Sequence, residues 1–129
     1  MSLRGVRDQL WLQTFADYTR RYGEIVRELP SEARRPGGNF VFEELEPEEQ
    51  GHVLNISRAY LNLCSEEYFL HERGKIDDQT WGIWRAGMVD VLRAPWIQTT
   101  WETLKPEYKF LEFCDFLDRC IEEAVKNSS

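Results

Sequence analysis

No stretch of this chain approaches the roughly 18 consecutive apolar residues that a membrane-spanning helix needs, so no α-helical span is encoded within it. Cysteine is scarce. Cys64, Cys114 and Cys120 are odd in number and show no CxxC spacing. That argues against a disulfide framework or a zinc knuckle, and for free buried thiols in a reducing, cytoplasmic compartment. Positive charge is in deficit: 16 Lys and Arg stand against 23 Asp and Glu, a net charge of −7 and a pI of about 4.9. The adjacent pairs Arg20-Arg21 and Arg34-Arg35 are too few to neutralise a row of phosphates, which excludes a nucleic-acid partner. The chain also lacks a GxGxxG fingerprint, a P-loop, an HExxH helix and a GxSxG elbow. Neither a cofactor nor a metal is expected, and no motif names a catalytic residue.

What the chain does have is aromatic mass. Five Trp, five Tyr and seven Phe in 129 residues can drive collapse of a real core, which rules out disorder throughout. The length fits one helical domain over residues 1–129. Charge is uneven: the first 35 residues hold seven Arg against five acids, and the remainder is acidic, including the run Glu43, Glu44, Glu46, Glu48 and Glu49. A mildly basic leading segment on an acidic body can lie beside an anionic membrane surface, although ordinary variation in surface charge gives the same pattern.

Hydrophobic spacing predicts an all-α antiparallel bundle of four main helices plus one short helix. Over about residues 4–29, Trp11, Phe15, Tyr18, Tyr22, Ile25, Val26 and Leu29 recur every three or four positions, and Pro30 ends the run. Pro36-Gly37-Gly38 then forbids helix. The second helix, about 47–73, opens on Pro47 with Glu48 and Glu49 at its positive end. Its apolar arc is wide enough to make it central, and Gly74 closes it. The third helix starts at the N-cap Asp77 and carries Trp81, Trp84, Met88, Val91 and Leu92. A short helix follows over 95–104, and a last one over 107–126 with Phe110, Phe113, Cys114, Leu117 and Cys120 facing inward. The first helix outruns its neighbours, so Trp11 and Phe15 are expected on an overhang, an exposed patch for self-association or a protein partner.

Helical phase singles out one constellation. Glu67 and His71 lie one turn apart inside the apolar arc that holds Tyr60, and Arg85 falls on the stripe of Trp81 and Met88. A buried charge is costly unless paired, so the spacing predicts a Glu67–Arg85 ion pair with His71 hydrogen-bonded nearby. Glu67→Ala would then cost roughly 3–5 kcal/mol. Three readings stay open. Glu67, His71, Arg85, Trp81, Trp84 and Tyr60 can form a ligand pocket with aromatic walls, a satisfied core network that fixes helix register, or, with Glu67 and His71 as acid and base, an enzyme site. Two ligands do not make a metal site. A cavity above about 300 Å³ at these residues favours the ligand pocket; a packed interior with an apolar patch near Trp11 favours an interaction domain.

The stretch Arg58-Ala-Tyr-Leu-Asn-Leu-Cys-Ser-Glu-Glu-Tyr-Phe-Leu70, followed by Gly74-Lys-Ile-Asp77, Trp81-Gly-Ile-Trp84, Pro95, Trp101 and Phe110-Leu-Glu-Phe113, resembles a group of small uncharacterised bacterial helical proteins over about residues 40–120. In that group a short membrane segment often precedes the soluble helical domain. The resemblance implies a membrane tether outside the chain shown and a place at the inner face of the membrane. It brings no activity with it. The expectation is therefore a non-catalytic interaction or scaffolding domain, with a small-molecule sensor or binding domain as the alternative.

Overall fold

The computed structural model describes residues 3–34 and 39–127, and among these every regular element is helical. Helix α1 spans Leu3–Arg27, α2 is a single turn at Ser31–Arg34, α3 spans Pro47–Glu72, α4 Asp78–Val91, α5 Pro95–Leu104 and α6 Leu111–Lys126. Short 3₁₀ turns occupy Phe42–Glu44 and Lys105–Glu107. The break expected at Pro36-Gly37-Gly38 lies outside the described residues. Boundary chemistry follows the sequence closely. Pro47 and Pro95 sit in first turns, where the missing N–H has no helical partner to lose. The Asp77 carboxylate accepts the Thr80 N–H at 2.7 Å, with Ile76 buried beside this cap. Gly74 takes φ +68°, the left-handed conformation that a side chain resists, and so ends α3.

Helix α3 packs against α1, α4 and α5, and α4 packs also against α6. The core is built from Leu61, Leu63 and Cys64 of α3, Met88 and Leu92 of α4, Ile97 and Trp101 of α5, and Phe113 and Leu117 of α6. Trp101 is fully buried, and its Nε1 donates to Asp118 Oδ1 at 2.8 Å, while Lys105 Nζ reaches the other carboxylate oxygen at 2.6 Å. All three cysteines are buried and unpaired. No helix among the described residues is long and apolar enough to cross a membrane.

Two expectations are corrected here. Helix α6 begins at Leu111, not near 107. After the 105–107 turn, Tyr108 runs extended. Its ring meets Trp101 and Phe113 at 5.5 and 5.7 Å, and its hydroxyl donates to Asn62 Oδ1 at 2.7 Å. Phe110 becomes the N-cap position and is 61% exposed, edge-on to Phe69, rather than facing inward. The second correction concerns Trp11 and Phe15, which do not overhang. The start of α4 lies against them: Trp11 Nε1 donates to Thr80 Oγ1 at 2.8 Å, and Phe15 stacks on Trp84 at 6.3 Å. The apolar row left uncovered on α1 is Leu3, Val6 and Leu10, exposed by 88, 41 and 58%.

Candidate functional site

Where α1, α3 and α4 converge, their side chains leave a cavity of about 190 Å³. Helix α1 contributes Tyr18, Thr19 and Tyr22; α3 contributes Tyr60, Leu63 and Glu67; α4 contributes Ile83, Trp84, Gly87 and Met88. Each set has one-face helical spacing: 18 and 22 are one turn apart, as are 60 and 63, and 84 and 88. Tyr60, Leu63, Glu67 and Met88 are buried and form the base, whereas Thr19, Tyr22, Ile83 and Gly87 are exposed and form the mouth. The rings meet in two pairs, Tyr18 with Trp84 at 5.3 Å and Tyr22 with Tyr60 at 6.1 Å, both tilted.

Glu67 is the chemical centre of this cavity. It is 8% exposed and makes no hydrogen bond or ion pair among the described residues. Desolvation therefore pushes its carboxyl up to about 7; the guanidinium of Arg21 pulls it part of the way back, and the neighbouring Glu66 opposes that. Arg21 makes its hydrogen bonds to Glu66 instead, donating to both carboxylate oxygens at 3.1 and 2.6 Å, and lies 5.0 Å above the Tyr18 ring. Burial keeps the surrounding hydroxyls and thiol neutral: the pKa values of Tyr60 and Cys64 are both driven well above their ordinary range.

The expected Glu67–Arg85 pair does not form. Arg85 Nη2 donates instead to Glu123 Oε2 of α6 at 2.7 Å. The reason is rotation about α4. Arg85 follows Trp84 by one residue, hence about 100° round the helix. When Trp84 faces α1 and α3, Arg85 faces α6. His71 does not join Glu67 either. Its ring stacks on Trp81 at 4.8 Å, and Nε2 meets Asp78 Oδ1 at 3.0 Å. These two residues form a separate aromatic cluster with Tyr68 and Phe116 at the α3–α4 turn. Of the six residues proposed from sequence, the structure brings Tyr60, Glu67 and Trp84 together and leaves His71, Trp81 and Arg85 elsewhere. Tyr18, Tyr22, Met88 and Gly87 were not assigned to the site. The i, i+4 spacing of Tyr18 and Tyr22 on the apolar face of α1 is the signal for those two; nothing in the sequence singles out Gly87.

The cavity lining holds no histidine and no carboxylate besides Glu67. The chain does contain one Glu-x-x-His, the spacing of bundle metal sites, at Glu49 and His52, contrary to the expectation that it holds none. Both are exposed, and no three His, Cys, Asp or Glu side chains converge among the described residues.

Larger clefts lie elsewhere among the described residues. One of about 700 Å³, between the end of α1, α3 and the start of α5, is walled by Ile25, Leu29, Ile56 and Ile97. It also includes Ser57 and Trp96, whose Oγ and Nε1 are buried without a hydrogen-bond partner. Another, of about 730 Å³, lies open beside the Arg58–Glu107 pair, which closes at 2.9 Å. The first shares Tyr60 with the smaller cavity, and neither includes a buried carboxylate. Comparison with known proteins finds no match for this chain, whether to a family model, a curated protein or a solved structure.

Proposed function

We propose that this chain is a non-catalytic binding domain whose site is the aromatic cavity between α1, α3 and α4. One observation carries the reading: Glu67, 8% exposed, lines a cavity together with four aromatic side chains and makes no hydrogen bond or ion pair among the described residues. A purely structural Glu67 would sit in a satisfied network, because an unpaired buried charge destabilises the fold that keeps it. At about 190 Å³ the cavity falls below the roughly 300 Å³ at which pockets for drug-sized ligands begin. The ligand is therefore a compact molecule, or one small group projecting from a larger one. The helices around the site are read as antiparallel neighbours with α3 central. Contacts along α1 and α3 (Arg21 with Glu66, Tyr22 with Tyr60) run in opposite senses, as do those along α3 and α4 (Tyr68 with Trp81, Glu67 beside Trp84). Along α4 and α6 the pairs Trp81–Phe116 and Arg85–Glu123 advance together, which supports α5 as a crossover.

The test is a fragment set of cationic, neutral and anionic small molecules, read by amide and indole chemical shifts. Binding should move the Trp84 indole and the Gly87 amide. If every fragment leaves both signals in place, or the shifts map to Ser57 and Trp96, the reading fails.

A second reading, self-association in an interaction or scaffolding role, is favoured by the uncovered row Leu3, Val6 and Leu10. These residues share one side of α1, roughly a quarter turn or more from the packed face.

A further inference from the structure

The cavity has a chemical preference beyond its size. Aromatic faces carry a negative quadrupole and attract cations, and the attraction grows where water is excluded. Tyr22, Tyr60 and Trp84 line the cavity together with a carboxylate that has no cation hydrogen-bonded to it among the described residues. The nearest guanidinium, that of Arg21, is held by Glu66. The rest of the base, Leu63 and Met88, is apolar; the acceptors beside Glu67 are the tyrosine hydroxyls and Thr19 at the mouth. A bare ammonium or a hydrated metal ion would leave the donors or water ligands that face Leu63, Met88 and the ring faces unmatched. A methylated ammonium presents methyl groups to that wall and spreads its charge over them.

We propose that the cavity binds a methylated ammonium head, with Glu67 as its counter-ion and the rings of Tyr22, Tyr60 and Trp84 as its cage. The inference rests on the reading of this cavity as a ligand site. Such a head occurs on free choline-like molecules and on methylated lysine side chains. Both share this chemistry, and the exposed mouth at Thr19, Ile83 and Gly87 is where the rest of either molecule would leave.

Affinity must depend on pH, since only the ionised carboxylate attracts the cation. The groups facing Glu67 are Arg21, Tyr18 and Tyr22 from α1 and Tyr60, Cys64 and Glu66 from α3. From α4 the lining is Ile83, Trp84, Gly87 and Met88, none of which titrates, although Asp90 lies near Tyr22. With Glu67 titrating at about 7 and the tyrosines and Cys64 held neutral, the carboxylate alone gains charge between pH 6 and 8.

The experiment is calorimetric titration of the full chain with tetramethylammonium, choline, a trimethyllysine peptide and 3,3-dimethyl-1-butanol, the neutral isostere of choline. Tetramethylammonium should bind about tenfold more tightly at pH 8 than at pH 6. Choline should outbind its isostere at pH 8 by roughly tenfold or more, and Glu67→Gln should erase the pH dependence and shrink choline's advantage to what the rings alone supply. Gly87→Leu fills the mouth, where an added Cβ meets nothing within 4 Å, and should abolish binding with the melting temperature unchanged or higher. Binding of choline alone assigns a free molecule as the source; binding of the peptide alone assigns methylated lysine. An isostere that binds as well as choline, or an unaltered Glu67→Gln, overturns the cation while leaving a ligand site in place. Binding that survives Gly87→Leu overturns both. Failure of every cation at millimolar concentration overturns the inference, and the fragment shifts at Trp84 then decide the ligand reading separately.

Discussion

Glu67 prefers the neutral form in the folded chain. Its carboxyl titrates at about 7 when folded against 4.5 for a free glutamate, so the native state holds its proton more tightly than the unfolded state does. Stability is then fully present below about 4.5, declines as pH rises toward 7, and has lost about 3 kcal/mol above it. Glu67→Gln should match the wild type within about 1 kcal/mol at pH 5 and exceed it by about 2–3 kcal/mol at pH 8, read by urea unfolding at both values. This reverses the 3–5 kcal/mol loss expected from an ion pair with Arg85. Arg85→Ala should itself change stability by only about 0–1 kcal/mol, because its bond to Glu123 is a half-exposed pair, and should leave the titration of Glu67 where it was. The sequence made the inward direction of Glu67 legible, because phase along one helix is a property of that helix alone. The missing partner was not legible. It depends on how α4 is rotated against two neighbours at once, and one residue step separates a side chain facing α3 from one facing α6.

Among the elements, helix starts and stops were the most readable features, since Asp77, Gly74, Pro47 and Pro95 act within one turn. The start of α6 was not, because Tyr108 gains ring contacts with Trp101 and Phe113 from elsewhere in the fold, and these outweigh the local preference to begin a helix after Pro106. The short α5 is keyed into the core by Trp101, which α6 holds through Asp118. Trp101→Ala should therefore cost about 3–5 kcal/mol, with the slope of the denaturation curve unchanged if unfolding stays cooperative. At the site, α4 is the element that completes the cavity. Its Gly87 leaves open the space that a larger residue would close, and no periodicity argument distinguishes such a glycine from one that merely weakens a helix.

At the scale of the whole molecule, the all-helical architecture followed from spacing, while the exposed surface did not. The expected overhang was placed at Trp11 and Phe15 because α1 was taken to outrun its neighbours; α4 lies alongside it and shifts the uncovered row to Leu3, Val6 and Leu10. If that row drives self-association, Leu10→Ser should lower the mass seen by light scattering at high concentration without shifting the melting temperature. An unchanged mass would remove the self-association reading and leave the cavity untouched. The cavity lies where three helices meet around a carboxylate with no hydrogen-bonded partner among the described residues. A carbon-detected NMR titration of the Glu67 carboxyl tests that directly. The midpoint should fall at about 7 in the free protein and move down when tetramethylammonium is added. A midpoint at about 4.5, unmoved by the cation, would contradict the account.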